Sequence, residues 1–325
     1  MAGKGISVSR AKTIYKRQKD APWDQSYVPG ILATAKEAPS ISYAYILTPQ
    51  KLMDREVHLL ATSELNAALI GLYHPAVVGL QEQRMLSPTS IPHPLWSHPN
   101  VDRSTLRHLM GTIEIAEHLG MFDELPTLWA PNPKQKGQRI SIVYPWCGDL
   151  LWAIQQSDGN IRCINWNIKD KASAFNHKSS AAPSPSPISL LARYEIEAAY
   201  YASADIKTVS VANEHIDEHL SANLRQLFLH HGRKISVTED LRQEVIDRYR
   251  SALKLEIPAS DVIAYYAERN IFSVDDARTV FYQAIWNRDL RVDLFKPVLI
   301  NIPMRPEKRD VLDVYQNWFD CDLCI

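Results

Sequence analysis

The chain has 325 residues, 46% of them hydrophobic and 22% charged, which excludes a mainly disordered protein and leaves room for two domains, each with its own core. Its formal net charge of −1 neither demands nor excludes a nucleic-acid partner, so the distribution of charge carries the information. No apolar run reaches the ~18 residues needed to cross a bilayer, the first residues lack the apolar core of a signal peptide, and four scattered cysteines do not build a secreted disulfide framework, so a cytoplasmic protein with reduced thiols and no membrane partner is expected.

The first twenty residues are basic, with Lys4, Arg10, Lys12, Lys16, Arg17 and Lys19 against Asp20 alone. Such an arm either lies along phosphates or is a solvated tail. From Asp54 to Tyr73, the residues Val57, Leu60, Ala61, Ala68, Leu69 and Leu72 recur at helical spacing, and His74-Pro75 closes the segment, which predicts one helix. AVVGLQEQRML then reads as a strand. The Pro- and His-containing stretch from Ser87 to Gly137 holds one predicted helix, STLRHLMGTIEIAEHLG.

RISIVYPWCGDLLWAI and NIRCINWNIK are apolar, β-branched runs joined across Ser157-Asp158-Gly159, a hairpin signal. The Ser/Pro-rich segment 178–189 reads as a loop or linker. A helix, a short strand (KTVSVA) and a second helix follow, an order that suits the rim of a mixed sheet. Beyond Gly232 come three helices and a strand-like LRVDLFKPVLI, which together suggest a winged-helix module. The expected fold is α/β, with a mixed-sheet domain over 1–232 and a helical C-terminal domain over 233–325.

In a hairpin turning between Asp158 and Gly159, facing residues sum to about 317, which puts Asp149 opposite Ile168 and beside Asn167 and Lys169. Alternation then sets Asn165, Asn167 and Lys169 on one face and Ile164, Trp166 and Ile168 on the other, core-facing one. An acid, an amide and a lysine on adjacent strands offer hard oxygen ligands for Mg²⁺ and a cation near an attacking water, the needs of phosphodiester hydrolysis. Glu64 is the candidate second acid, because it sits among Leu60, Ala61, Ala67 and Ala68, where an unpaired charge is costly. The same Asp and Lys also read as a surface ion pair, and Glu64 as an exposed helix glutamate.

These segments resemble the TnsA family, the endonuclease subunit of the heteromeric transposase of Tn-seven-like elements. The resemblance rests on SYVPGILATAKEAPS, REVHLLATSELN around Glu64, HPAVVGLQEQRML, GDLLWAI at Asp149, NIK from Asn167 to Lys169, and RYEIEAAYYASADIKTVS. It implies a restriction-endonuclease-like domain followed by a winged-helix-like one. It implies Glu64, Asp149 and Lys169 as catalytic residues, with Glu64, Asp149 and Asn167 as ligands to Mg²⁺, for which Mn²⁺ can substitute. Asn167 stands where the family has a Gln and is one methylene shorter.

The family cuts the 5′ ends of the transposon in double-stranded DNA, together with a TnsB-like transposase and a TnsC-like AAA+ ATPase. The resemblance also makes 234–325 the expected partner surface in a bacterial, cytoplasmic protein. Arg288, Arg291 and Lys296 in the expected wing are candidates for DNA phosphates. A stand-alone restriction or repair nuclease and a catalytically idle assembly subunit are the competing readings. His93, His98, His108 and His118 match no compact zinc spacing, and Cys321-x-x-Cys324 has no second pair and reads as a flexible tail. Trp146, Trp152 and Trp166 read as core, with stacking on a base as the alternative.

Overall fold

The computed structural model describes residues 6–39, 43–175 and 190–322, so Lys4, segment 178–189 and Cys324 lie outside the described residues. Within the basic N-terminal segment, Val8–Gln18 is a helix, α1. The Ser7 hydroxyl accepts the Arg10 N–H at 3.2 Å and caps it, while Ala11, Ile14 and Gln18 turn inward. The expected helix from Asp54 begins eight residues later. Met53 and Asp54 take left-handed backbone angles, and β1 (Tyr45–Leu47) pairs with β2 (Val57–Leu59) before α2 (Thr62–Tyr73) starts. One apolar spacing is therefore shared between a strand and a helix.

Strand β3 (Val77–Glu82) follows as expected. In the stretch after it, α-helix forms only over α3 (Thr112–His118), with Gly111 at its N-cap, beside three short 3-10 turns. A Cβ at Gly111 would meet the Pro88 carbonyl oxygen at 2.3 Å, so a close backbone approach fixes that start. The run RISIVYPWCGDLLWAI splits: β5 (Arg139–Val143) pairs with β4 (Thr127–Pro131), and only β6 (Leu150–Gln155) forms the hairpin with β7 (Ile161–Lys169). Pro145 and Gly148 interrupt the extended run between them.

The main sheet has the order β3-β6-β7-β8, antiparallel except for the last pair, in which β8 (Lys207–Ala212) runs parallel to β7 after α4 (Leu190–Ala202). This is a mixed α/β arrangement with helices flanking the sheet. Leu150 to Ile154 are buried on both faces of β6, as a central strand requires. Trp152 and Trp166 are core residues in edge contact at 5.3 Å. Cys321 belongs to no flexible tail: it is buried, Trp318 accepts the Trp166 Nε1–H through its carbonyl at 2.7 Å, and Asp320 pairs with Lys207 at 2.8 Å.

Backbone contacts divide the chain into two compact units, the first comprising Met1–Ala68, Pro75–Glu214 and Asn317–Ile325, the second Leu69–His74 and His215–Gln316. The division falls at Glu214 and not at the expected 232. The helix α5 (Glu218–His231) goes with the second unit, because it packs on the helix Val274–Trp286 and Asn223 holds the carbonyls of Leu294 and Lys296 at 2.8 Å. Three further helices build that unit, α6 (Glu239–Lys254), α7 (Ala259–Glu268) and α8 (Val274–Trp286). The core helix is α8, capped by Ser273, whose hydroxyl accepts the Asp276 N–H at 3.0 Å.

The strand expected over LRVDLFKPVLI is not formed: residues 290–300 contain no strand, and Val292 makes only an isolated bridge to Pro306. Pro297, Pro303 and Pro306 remove the donors that a ladder would need. A four-residue helix, α9 (Val311–Val314), ends the unit.

Candidate active site

Glu64 enters the site from the first turn of α2, where the helix dipole favours an anion. Its Oε2 accepts the Leu60 N–H at 2.8 Å and the Gln83 side-chain N–H at 3.2 Å, and the residue is 8% exposed. Asp149 enters from the residue ahead of β6. The β6–β7 register pairs Leu150 with Trp166, one residue short of the expected pairing, so Asp149 comes level with Asn167. Its Oδ2 accepts the Ile168 N–H at 2.7 Å.

Gln83 binds the two acids into one unit, a role sequence reasoning missed. Its amide reaches Glu64, its backbone N–H donates to the Asp149 carbonyl at 2.9 Å, and its own carbonyl accepts the Gly30 N–H at 3.0 Å. To do this it adopts a left-handed backbone, φ +48, which costs a residue other than glycine ~1–2 kcal/mol. No sequence pattern marks that strain.

Burial acts first on Glu64 and the Asp149 charge second, and together they hold its carboxyl far above the ordinary range, against the Leu60 N–H, Lys169 and Gln83. A second buried acid, Glu197 on α4, is 0% exposed, with its pKa raised to about 7 by burial and by Asp149, against Arg193. Its Oε1 accepts from Asn165 at 3.2 Å, and its Oε2 has no partner among the described residues. Glu197 was also missed. Arg193 and Glu197 stand four residues apart beside Ile196, Tyr200 and Tyr201, and a charged i, i+4 pair in an otherwise apolar face was the signal available.

Lys169 is half-buried at the end of β7. Burial pulls its ammonium down, but Asp149 and Tyr194 outweigh it and hold its pKa above the ordinary value. Asn167 is 2% exposed, and its Oδ1 already accepts from Asn165 at 3.3 Å. Glu64, Gln83, Asp149, Trp146 and Arg193 line one cleft of about 450 Å³. Arg193 is pinned there by the Cys147 carbonyl at 2.9 Å.

Among the described residues, no three His, Cys, Asp or Glu side chains form a metal cage by themselves. The donor set nevertheless suits a hard cation. Glu64 and Asp149 each spend one oxygen on a backbone N–H, leaving Oε1 and Oδ1 unengaged among the described residues, and Mg²⁺ is commonly held by one or two carboxylates while keeping its waters. A buried Glu64 carboxylate beside the half-buried Asp149 is costly without such a cation.

The other candidates are not drawn into the site. His93 and His98 are buried, and His93 is pushed down to about 4, chiefly by burial and also by Arg84, so it stays neutral. In the second unit, Arg288 pairs with Asp310 at 2.7 Å, and Arg291 with both Asp310 and Glu307, so two of the three wing cations are already neutralised.

The chain matches no protein-family model and has no match among curated proteins.

Proposed function

We propose that the chain is a Mg²⁺-dependent DNA endonuclease with Glu64, Asp149 and Lys169 as its catalytic residues. The observation that carries this reading is the pair of carboxylates brought together in one cleft by Gln83, with a lysine held charged by Asp149. Such a constellation serves phosphodiester hydrolysis better than acyl or glycosyl transfer, since no activated Ser or Cys nucleophile accompanies it: Cys147, also on the cleft, has its thiol pushed up to about 12 by burial.

A bound Mg²⁺ supplies Lewis-acid polarisation of the phosphate and a more acidic water. Glu64 and Asp149 would hold it through the oxygens left unengaged, while the Ile168 N–H fixes the orientation of Asp149. Lys169, whose ammonium Asp149 holds charged, would stabilise negative charge building on the phosphate. Asn167, with its oxygen already engaged, acts through the network of Asn165 and Glu197 and is a positioning residue in this reading.

The four-stranded mixed sheet with the acids at one end fits a restriction-endonuclease-like core, and the helical second unit fits a winged-helix-like module without a paired wing. Together with the resemblance to TnsA, this supports a role in cutting the 5′ ends of a transposon with TnsB-like and TnsC-like partners. The test is excision from a donor plasmid carrying the element's ends, with those partners and Mg²⁺. Asp149→Ala and Lys169→Ala are expected to abolish 5′-strand cuts and leave 3′-strand cuts intact. Cuts to both strands in both variants would place the chemistry elsewhere.

A further inference from the structure

Adjacent residues Gln83 and Arg84 serve two different clefts in the first unit. Gln83 lines the candidate active site, and Arg84 lines a second cleft of about 630 Å³. Helix α1 divides the two in the same way, with Ile14 on the first and Tyr15 and Lys16 on the second.

The outward face of α1 carries Lys12, Tyr15, Lys16 and Lys19, spaced i, i+3, i+4 and i+7, opposite the buried Ala11, Ile14 and Gln18. All four are exposed, and none of the three lysines has an ion pair among the described residues. Trp96, 39% exposed, lines the same cleft from a turn that is fixed from three sides. The Pro94 carbonyl accepts from the Trp23 indole at 2.8 Å, the Ser97 hydroxyl donates to the Ala21 carbonyl at 3.2 Å, and the His93 ring caps the Leu95 N–H at 3.0 Å. Outside the cleft lining, the Arg103 guanidinium lies over one side of the Trp96 ring, 5.9 Å from its centroid. Arg84, 7% exposed, has an Nε without a hydrogen-bond partner among the described residues. Lys16, Lys19 and Arg84 against Asp20 leave the cleft with an excess of positive charge.

We infer that this cleft binds single-stranded DNA, taking one unstacked base against Trp96 while Lys16 and Lys19 hold its flanking phosphates. An exposed aromatic on a rigid turn offers a stacking face that every base can use, and unpaired lysines one helical turn apart suit a phosphate track. A paired base cannot enter such a cleft without leaving its stack, which selects an unpaired strand over intact duplex. This role rests on the nuclease reading and deepens it, because it adds a hold for an unpaired strand to the unit that carries the candidate active site.

Its test is fluorescence anisotropy of a short fluorescein-labelled oligothymidylate on the full chain in EDTA, with a duplex of the same length as comparison. Trp96→Ala is expected to weaken binding of the single strand at least ~5-fold, and Trp96→Phe to restore most of it, since a ring remains to stack on. Lys16→Gln/Lys19→Gln is expected to lower the slope of log Kd against log salt by ~0.7 for each phosphate released. Wild-type binding by both Trp96→Ala and the double lysine variant, or duplex preferred over single strand, would overturn the inference. Because EDTA removes any cleavage, the two readings separate: weakened binding in these variants while wild type never cuts DNA sinks the nuclease and keeps the cleft. Metal-dependent cutting with unchanged binding does the reverse.

Discussion

The Oδ2 of Asp149 accepts the Ile168 N–H at 2.7 Å, which ties an acid ahead of β6 to the strand that delivers Lys169. Chemistry and hairpin register are thereby coupled, because a slip of one residue in β7 would turn the lysine to the other face of the sheet and point the N–H at that level toward the other neighbouring strand. Asp149→Asn keeps the shape and an acceptor but removes the charge. It should leave the fold intact and lower metal-dependent cleavage by ~10²-fold or more, as loss of a principal ligand or electrostatic group does. Wild-type rates in Asp149→Asn, measured on a nicked-circle assay, would sink the assignment.

The pH dependence of stability follows from the two raised carboxyls. Glu64 and Glu197 keep protons in the folded chain that the unfolded chain loses near ~4.3, so folded protein binds more protons and stability falls as pH rises. For Glu197 the loss runs up to about 7, and for Glu64 it continues higher. Each group contributes a slope approaching ~1.4 kcal/mol per pH unit inside its window. Urea melts of the metal-free protein from pH 5 to pH 8 should show this decline, and Glu197→Gln should flatten it below pH 7. A flat wild-type profile would contradict the buried, protonated state.

Metal linkage carries the opposite sign. A cation on Glu64 displaces its proton, so binding is weaker at low pH. Mg²⁺ at a fixed concentration should raise the melting temperature more at pH 8 than at pH 6, and Glu64→Gln should remove most of that difference. An equal shift at both pH values would mean that Glu64 is no ligand.

Much of the candidate site's geometry was legible because the relevant signals are local. Asp149 and Lys169 flank an Asp-Gly turn, so simple alternation brought them within a residue of their observed places, and Glu64 was marked by its apolar neighbours. The sheet and most helices followed from period and caps, as with Ser273. Gln83 was illegible because its role depends on a left-handed backbone, and Glu197 because burial of a helix face depends on what the sheet presents to it. The helix expected from Asp54 failed for a related reason: Val57 and Leu60 fit a helical stripe, yet Val57 lies in a strand that a turn at Met53 and Asp54 sets up. The wing failed on prolines whose cost falls on pairing and not on hydrophobic pattern.

Arg55 and Glu82 form a buried pair at 2.8 Å, with side chains 5% and 0% exposed, and Glu82 also accepts the His58 N–H at 3.1 Å. Glu82 immediately precedes Gln83, so the pair anchors the strand end that supports the acids. Arg55→Met leaves a buried carboxylate with only a backbone donor and should cost ~3–5 kcal/mol in urea unfolding. The double variant Arg55→Met/Glu82→Gln should recover a large part, since the uncompensated charge is gone. No recovery would show that packing of the Arg55 stem, and not the charge, is what the fold needs.

Gly30 stands where three parts of the site meet. A Cβ there would lie 2.7 Å from the Cys147 Sγ and 2.9 Å from the Gln83 carbonyl oxygen, and the second contact is backbone that cannot swing aside. Its N–H also donates to that carbonyl at 3.0 Å. Gly30→Ala therefore has to push Gln83 out of its left-handed geometry, which loosens its amide from Glu64 and its N–H from Asp149. The expected cost is ~1–3 kcal/mol of stability, in the range of overpacked core positions. Cleavage should fall further than that loss explains, because a misplacement of ~1 Å at reacting groups costs ~10²-fold in rate. A Gly30→Ala variant that is less stable yet cuts at the wild-type rate at low temperature would separate Gly30 and Gln83 from the chemistry and leave them a purely structural role.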